Sequence, residues 1–292
     1  MPAYNREAYI GDAIASVLAQ RFTDFELVVV DDASSDRTRA IAESYAAKDA
    51  RVRVIAHEKN RGQFENRNYA ASLARAPLLK FHDSDDVMYP HCLDVMVAAM
   101  SGAPKAAVGL SQGRNWPGGP CPMVLTPELA YTREFLGHGL FQCGPGGSII
   151  RREAFEAVGG FRTAGIHSDY LLWLDMARRF SFVLIPADLF WYREHAEQDL
   201  KASRAVRDYA RLNGEVWKTL HDSGCPLRGD ALRMARRNQT YNVVKQLWRD
   251  LKRGDLATAI YRVRHAGLST SDWMRYLRPP RRQATAGTPA RT

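Results

Sequence analysis

The sequence predicts an α/β protein on a mostly parallel sheet, with a helical extension at its C-terminal end. Three observations carry this. Short β-branched apolar runs alternate with helical patterns as far as about residue 200, which is how strands joined by crossover helices read. Acidic and small polar residues follow directly on those runs, and open α/β sheets bind ligands at the carboxyl ends of their strands. From about Ala202 only helical periodicity remains.

In chain order, Ile10, Ile14, Val17 and Leu18 mark one apolar helical face, with Asn5 as its candidate N-cap. Glu26 to Val30 reads as a buried strand, β-branched and nearly continuous in hydrophobicity. Val52–Ala56 and Leu78–His82 read as two more, with helices over 36–48 and 64–75. Pro90 stands where a first helical turn accepts proline and opens a helix to Met100. Residues 113–122, rich in Gly and Pro, read as a loop. There follow a helix near 128–137, the loop Gly144-Pro-Gly-Gly147, a strand at Ser148–Arg151, a helix near 168–180 and a last strand region, Phe182–Tyr192. Beyond these, Tyr209, Leu212, Val216 and Leu220 share one helical face, and Val244, Leu247, Trp248 and Leu251 another. After Pro279-Pro280 the chain is polar and basic, the composition of a disordered tail. The domains therefore read as 1–200, 201–278 and a tail, 279–292.

Composition is that of a soluble globular chain, with 46% hydrophobic and 25% charged residues. No apolar run reaches the roughly 18 to 20 residues that span a bilayer, and no signal peptide is visible. Cys92, Cys121, Cys143 and Cys225 have no C-x-x-C spacing, so neither a zinc site nor a disulfide framework is indicated, and a cytoplasmic location fits. The net charge of +9 is uneven: residues 1–200 hold 21 Lys/Arg against 25 Asp/Glu, and residues 201–292 hold 20 against 7, a net of +13. That asymmetry is compatible with an anionic membrane surface or nucleic acid, and equally with a solvated helical face and a basic tail.

Three segments carry candidate chemistry. Val30-Asp31-Asp32-Ala-Ser-Ser-Asp36 ends the first strand, where paired carboxylates can grip a base or ribose. By itself it also reads as a turn and helix cap. His82-Asp83-Ser84-Asp85-Asp86 places three acids in four residues, which repel unless a cation or basic partner neutralises them. Mg²⁺ or Mn²⁺ on a diphosphate suits hard oxygen donors of this kind, and a solvated acidic loop is the bland alternative. Asp169 stands in the first turn of an amphipathic helix, a place where the macrodipole alone favours an acid.

Taken together, the ordered set Pro2-Ala-Tyr-Asn5, Val30-Asp-Asp-Ala-Ser-Ser-Asp36, Asn60-Arg-Gly62 with Arg67-Asn68, Asp83-Ser-Asp-Asp86 and Ser168-Asp169 resembles the family 2 glycosyltransferases over roughly residues 1–200. The resemblance implies a GT-A fold, a Rossmann-like mixed sheet, and inverting transfer from a nucleoside diphosphate sugar, most often UDP-linked. It implies that Pro2, Ala3 and Tyr4 line the base pocket, that Asp32 bonds the uracil or ribose, and that Arg67 and Asp83 reach the nucleotide. Asp85 and Asp86 would hold Mn²⁺ or Mg²⁺, with His195 completing the metal or phosphate site. Asp169 matches the catalytic base, although Ser168 stands where the family usually has a second acid. Gly146, Gly147 and Ser148 resemble the acceptor side. The implied acceptor is a saccharide or a lipid-linked one, as in polysaccharide and cell-envelope biosynthesis.

The family opens with a hydrophobic strand before its Pro-x-Tyr-Asn segment, and this chain is expected to lack it, running straight into a helix as a truncated or misannotated start would. A catalytically inactive nucleotide-sugar or glycan-binding domain is the second reading. A nucleotidyltransferase is the third, against which stands the missing Gly-rich phosphate loop after the first strand. Nucleic acid is not an expected partner. The basic C-terminal helices, with Trp248, Trp273 and Tyr276, would dock peripherally on an anionic inner leaflet or pack on the catalytic domain.

Overall fold

The computed structural model describes residues 1–111, 120–163, 165, 167–195 and 205–276. The expected loop at 113–122, apart from its end at 120–122, and the expected tail at 279–292 lie outside the described residues. Two compact units are formed, the first by residues 1–205 with 224–227, the second by 206–223 with the residues from 228 on.

In the first unit, β1 (Pro2–Ala3), β2 (Leu27–Asp31) and β3 (Val52–Ala56) form a parallel sheet in that order. The helices α1 (Ile10–Leu18), α2 (Thr38–Ala46) and α3 (Gln63–Ser72) alternate with these strands. A second sheet has the order β4 (Leu78–Leu79), β8 (Ser148–Arg151), β6 (Ala106–Ser111), β9 (Ser181–Ile185), β7 (Met123–Leu125), and only β6 and β9 run parallel. A short antiparallel ribbon joins β5 (Val87–Met88) to β10 (Phe190–Trp191). The remaining helices are α4 (Cys92–Gly102), α5 (Pro127–Leu136), α6 (Arg152–Ala157) and α7 (Ser168–Ala177). One core cluster includes Ile10, Ile14, Val29, Met96, Met100 and Val183, each at most 1% exposed. Burial of each such side chain contributes roughly 1.5–3 kcal/mol before entropy is counted.

Several expectations are corrected. A strand does precede α1, formed within the Pro2-Ala-Tyr-Asn5 segment itself: Pro2 and Ala3 pair in parallel with Val30 and Asp31, the Val30 amide donating to the Met1 carbonyl at 2.9 Å and the Asp32 amide to the Ala3 carbonyl at 2.8 Å. Asn5 does not cap α1, whose N-cap position is Tyr9. It takes φ 49° and accepts the Ser35 amide at 2.9 Å, fastening the chain to the loop after β2. The strand expected over Leu78–His82 is two residues long, and just past it the Lys80 ammonium donates to the carbonyls of Phe81 and Gly146. The strand region expected over Phe182–Tyr192 divides into β9 and β10 around Pro186 and Asp188, the latter at φ 60°. The mixed sheet that the resemblance implies is present as the second sheet, with β6 at its centre, while the first sheet is parallel throughout. β6 has weak β-formers in sequence but is buried at every position. Gly109 is what lets it pack, since a Cβ there would lie 2.6 Å from Ile185 and 2.8 Å from Ile149.

The second unit contains α8 (Ala205–His221), α9 (Gly229–Lys252), α10 (Leu256–His265) and α11 (Thr270–Tyr276). Val243, Val244, Leu247, Ala259, Ala266 and Trp273 make its core. The expected faces hold in part: Val216 and Leu220 on α8 and Val244 and Leu247 on α9 are buried. Tyr209 is 47% exposed, Trp248 39% and Leu251 38%, whereas Ala210 faces inward on α8. Trp273 is not a surface anchor, being 9% exposed inside that core. The Tyr276 side chain lies outside the described residues. Inside the unit the Arg262 Nε donates to Asp250 at 2.7 Å, a buried pair that turns α10 so that its polar residue points in.

Candidate active site

The site is built where β2 and β4 end. Asp31 and Asp32 are each 2% exposed. The two carboxylate oxygens of Asp32 accept the backbone amides of Arg61 and Gly62, at 2.8 and 2.9 Å. Asp32 therefore fastens the Asn60-Arg-Gly62 loop and the start of α3, the helix that carries Arg67. The Asp31 Oδ1 is buried without a partner. Pro2 and Ala3 are buried in β1, and Tyr4 is 46% exposed.

Each acid of the cluster after β4 has a different neighbour. Arg67, 5% exposed, donates to Asp83 Oδ1 at 2.5 Å and to Gln63 at 3.0 Å, while its Nε is buried without a partner. Burial pushes the Asp83 carboxyl up, but the Arg67 charge and hydrogen bond, with His82 and Lys80, outweigh it and hold the group below the usual carboxylate range. Asp85 Oδ2 lies 3.0 Å from Arg6 Nε and 3.0 Å from His195 Nε2. Asp86, 2% exposed, accepts the Arg193 amide at 3.0 Å. Burial, reinforced by the charges of Asp83 and Asp85, pushes it up to about 7.

Asp169 opens α7, and its Oδ1 accepts the Tyr170 amide at 2.8 Å. Burial raises its carboxyl, with Arg67 lowering it and Asp83 raising it, so its charge is felt at the cluster. Ser168, in the position of the second acid, is fully buried and donates to the Arg162 carbonyl, tethering the helix start. On the expected acceptor side, Gly146 and Gly147 form a tight buried turn beside Phe190. Ser148 is fully buried, its hydroxyl donating to the Pro145 carbonyl at 2.8 Å, so it supports that turn and does not present a free hydroxyl.

Four residues of the cluster were not assigned from sequence. Arg6 and Arg193 reach Asp85, the latter by its Nε on the Asp85 carbonyl at 2.9 Å. Lys80 sits under the cluster, lowered by burial. His82, 2% exposed, has both ring nitrogens without partners and is lowered to about 3 by burial, then by the Lys80 charge. A lone Lys and a lone His in the apolar run Leu78–His82 were the available signal.

Among the described residues no three His, Cys, Asp or Glu side chains are arranged to hold a metal ion. The donors present still fit Mg²⁺ or Mn²⁺ in the mode where diphosphate oxygens complete the coordination. Asp85 and His195 already meet, and Asp86, raised chiefly by burial and then by the charges of Asp83 and Asp85, is a carboxyl whose ionised form a cation would favour.

Residues 1–159 match the glycosyl transferase family 2 profile. The chain is 43% identical over 86 residues to the uncharacterized glycosyltransferase EpsJ of Bacillus subtilis (strain 168), covering 30% of this chain and 25% of that protein. It is 36% identical over 100 residues to the Escherichia coli UDP-Glc:alpha-D-GlcNAc-diphosphoundecaprenol beta-1,3-glucosyltransferase WfgD, covering 34% of this chain and 39% of that protein. The matches thus span well under half the length of these relatives. Among solved structures, S. aureus TarS 1-349 in complex with UDP-GlcNAc superposes with a TM-score of 0.61 at 22% identity, covering 86% of this chain and 71% of that one. The mannosyltransferase PcManGT from Pyrobaculum calidifontis, in complex with GDP-Man and Mn²⁺, gives 0.59 at 17%, covering 94% and 76%. At these identities the structures show the shared GT-A-like fold.

Proposed function

This chain belongs to glycosyl transferase family 2, and on that premise we propose that it moves a sugar from a nucleoside diphosphate donor to an acceptor hydroxyl with inversion. The observation that carries the reading is the convergence of Arg67, Asp83, Asp85, His195 and Asp169 in one electrostatically linked cluster. A UDP-sugar is the proposed donor, and a saccharide or lipid-linked molecule the acceptor. UDP-Glc and a diphosphoundecaprenol acceptor stand in the name of the WfgD relative, and UDP-GlcNAc is bound in TarS.

Pro2, Ala3 and Tyr4 would line the base pocket, with Asp32 holding its wall in place and offering its remaining lone pairs to base or ribose. The unpartnered Arg67 Nε offers a donor to an anionic or carbonyl oxygen of the nucleotide, and Asp83 orients that guanidinium. Asp85, Asp86 and His195 would hold the divalent cation. When bound, it stabilises charge developing on the leaving diphosphate. Asp169 takes the proton from the acceptor hydroxyl as that oxygen attacks the anomeric carbon from the face opposite the leaving group. One displacement inverts the configuration. Gly146 and Gly147, close-packed against Cys143 and Phe190, would shape the acceptor side through the turn they form.

Calorimetric titration of UDP with and without Mn²⁺ tests the donor site. The expected result is metal-enhanced binding by the parent and loss of that enhancement in Asp85→Ala. Equal UDP binding by both proteins, metal or not, would overturn the assignment of Asp85. Binding without transfer to any acceptor would move the reading to a nucleotide-sugar-binding domain.

A further inference from the structure

The second unit is apolar where a solvated helix is polar. On α10, Leu256, Ile260 and Val263 follow i, i+4, i+7 spacing and are 62%, 54% and 43% exposed. The inner face of the same helix carries Ala259 and the Arg262 paired with Asp250. α10 thus hides its ion pair and shows its aliphatic row, the reverse of the usual surface helix.

α9 adds a second feature. At 100° per residue, Met234, Arg237, Tyr241, Lys245, Trp248 and Lys252 fall within an arc of about 80°, and all six are exposed. Basic and amphipathic apolar side chains thus alternate along one stripe. The helix has only two acids: Asp230 in its first turn and Asp250, which is turned inward to Arg262. From residue 201 on, the chain carries 20 Lys/Arg against 7 Asp/Glu.

We propose that this unit docks peripherally on an anionic lipid surface, α10 supplying the apolar contact and α9 the charge. The chemistry selects this occupant. Tyr and Trp beside Lys and Arg suit the headgroup level, where an amphipathic ring keeps its polar edge wet and a basic side chain keeps its stem in apolar surroundings. The Leu-Ile-Val row suits the acyl boundary and has no use on nucleic acid, which takes aromatic stacking and phosphate contacts. A second copy of the chain would bring the same excess of positive charge to the contact. The attachment lies on the surface, because no helix among the described residues is long and apolar enough to cross a membrane. The inference stands on the second unit alone and does not depend on the donor site.

Vesicle flotation of the full chain tests it, using phosphatidylcholine with and without phosphatidylglycerol at low and high salt. The chain floats with the anionic vesicles at low salt, stays behind with pure phosphatidylcholine, and is released by salt. Each basic residue near such a surface is worth about fivefold in partitioning, so Arg237→Glu with Lys245→Glu lowers it at least about 25-fold. Leu256→Ser with Ile260→Ser lowers it comparably. These positions are exposed, and unchanged thermal unfolding of the variants separates lost docking from lost folding. The proposal is overturned if the chain stays in the soluble fraction with anionic vesicles at low salt. It is equally overturned if the serine variant floats like the parent, or if the chain ignores vesicles and instead retains a single-stranded oligonucleotide or self-associates through the α10 row.

Discussion

Asp169 stands in two opposing fields. Burial disfavours its carboxylate and raises the group, while the first turn of α7 and the Arg67 charge favour the anion. The net is a raised carboxyl. As the proposed base, Asp169 must be ionised, so activity is expected to rise as pH rises through that raised value. The acid limb of kcat/KM is expected above the ordinary Asp value of about 3.9, and a limb at or below that value would count against Asp169 as the titrating base. Asp169→Asn is expected to lower kcat by about 10²- to 10⁴-fold with UDP affinity retained; a small loss in kcat would remove it from the proton transfer. The acids themselves were readable as letters, because three carboxylates in four residues are costly without a purpose. Their division of labour was not readable. Asp83 is committed to Arg67, Asp85 to Arg6 and His195, and Asp86 to the Arg193 amide. Those partners come from up to 110 residues away in the chain, and no local pattern announces them.

At the scale of elements, periodicity identified those with one clear apolar face or a continuous β-branched run. α1, β2, β3 and β8 were legible for that reason. β6 was not, because its Ala-Ala-Val-Gly-Leu-Ser sequence has little β-propensity and becomes a strand through packing against β8 and β9. In α8 and α9 the helices were readable and their buried faces only in part: Val216, Leu220, Val244 and Leu247 face inward as read, whereas Tyr209, Trp248 and Leu251 do not, since neighbouring helices choose the face. Gly214 in α8 is a consequence of such packing. A glycine inside a helix costs roughly 0.5–1 kcal/mol relative to alanine, yet a Cβ here would run into the His265 carbonyl at the end of α10. Gly214→Ala is therefore expected to destabilise the protein despite its better helix propensity, lowering the midpoint of thermal unfolding. A raised midpoint would show that α8 and α10 do not approach so closely in solution.

Over the whole molecule, two sets of carboxyls and the buried His82 bear on the stability against pH. Asp49 is lowered to about 2 by Arg51, and Asp83 is lowered chiefly by Arg67 against its burial. Such groups contribute stability that is present above the unfolded value of about 3.9 and lost as pH falls through the folded one. Asp86, raised to about 7, acts in the opposite sense: its contribution is present below about pH 4 and is lost as pH rises through about 7. His82, lowered to about 3 by burial, has the contrary sign: its contribution is present above its unfolded value of about 6.5 and is lost as pH falls through about 3, so between about pH 4 and 7 Asp86 removes stability that His82 adds. Without metal or nucleotide, Asp86→Asn is expected to raise the unfolding midpoint at about pH 8 relative to that at about pH 4, compared with the parent, and an unchanged difference between the two pH values would exclude Asp86 as a source of the pH dependence.

Read alone, the amino-acid order was enough for the fold class, the early crossover units, the acids at the strand ends and the basic, helical C-terminal third. These are local properties: hydrophobic period, propensity, and charge counted along the chain. Tertiary structure decided what depends on distance in space. It supplied the two-residue β1 on β2, the antiparallel half of the second sheet, the partners that divide the three acids, and the turn of α10 that buries Arg262 and exposes an aliphatic row. The physical reason is the same in each case: burial, pairing and pKa belong to contacts between residues far apart in sequence, and those contacts exist only once the chain has closed on itself.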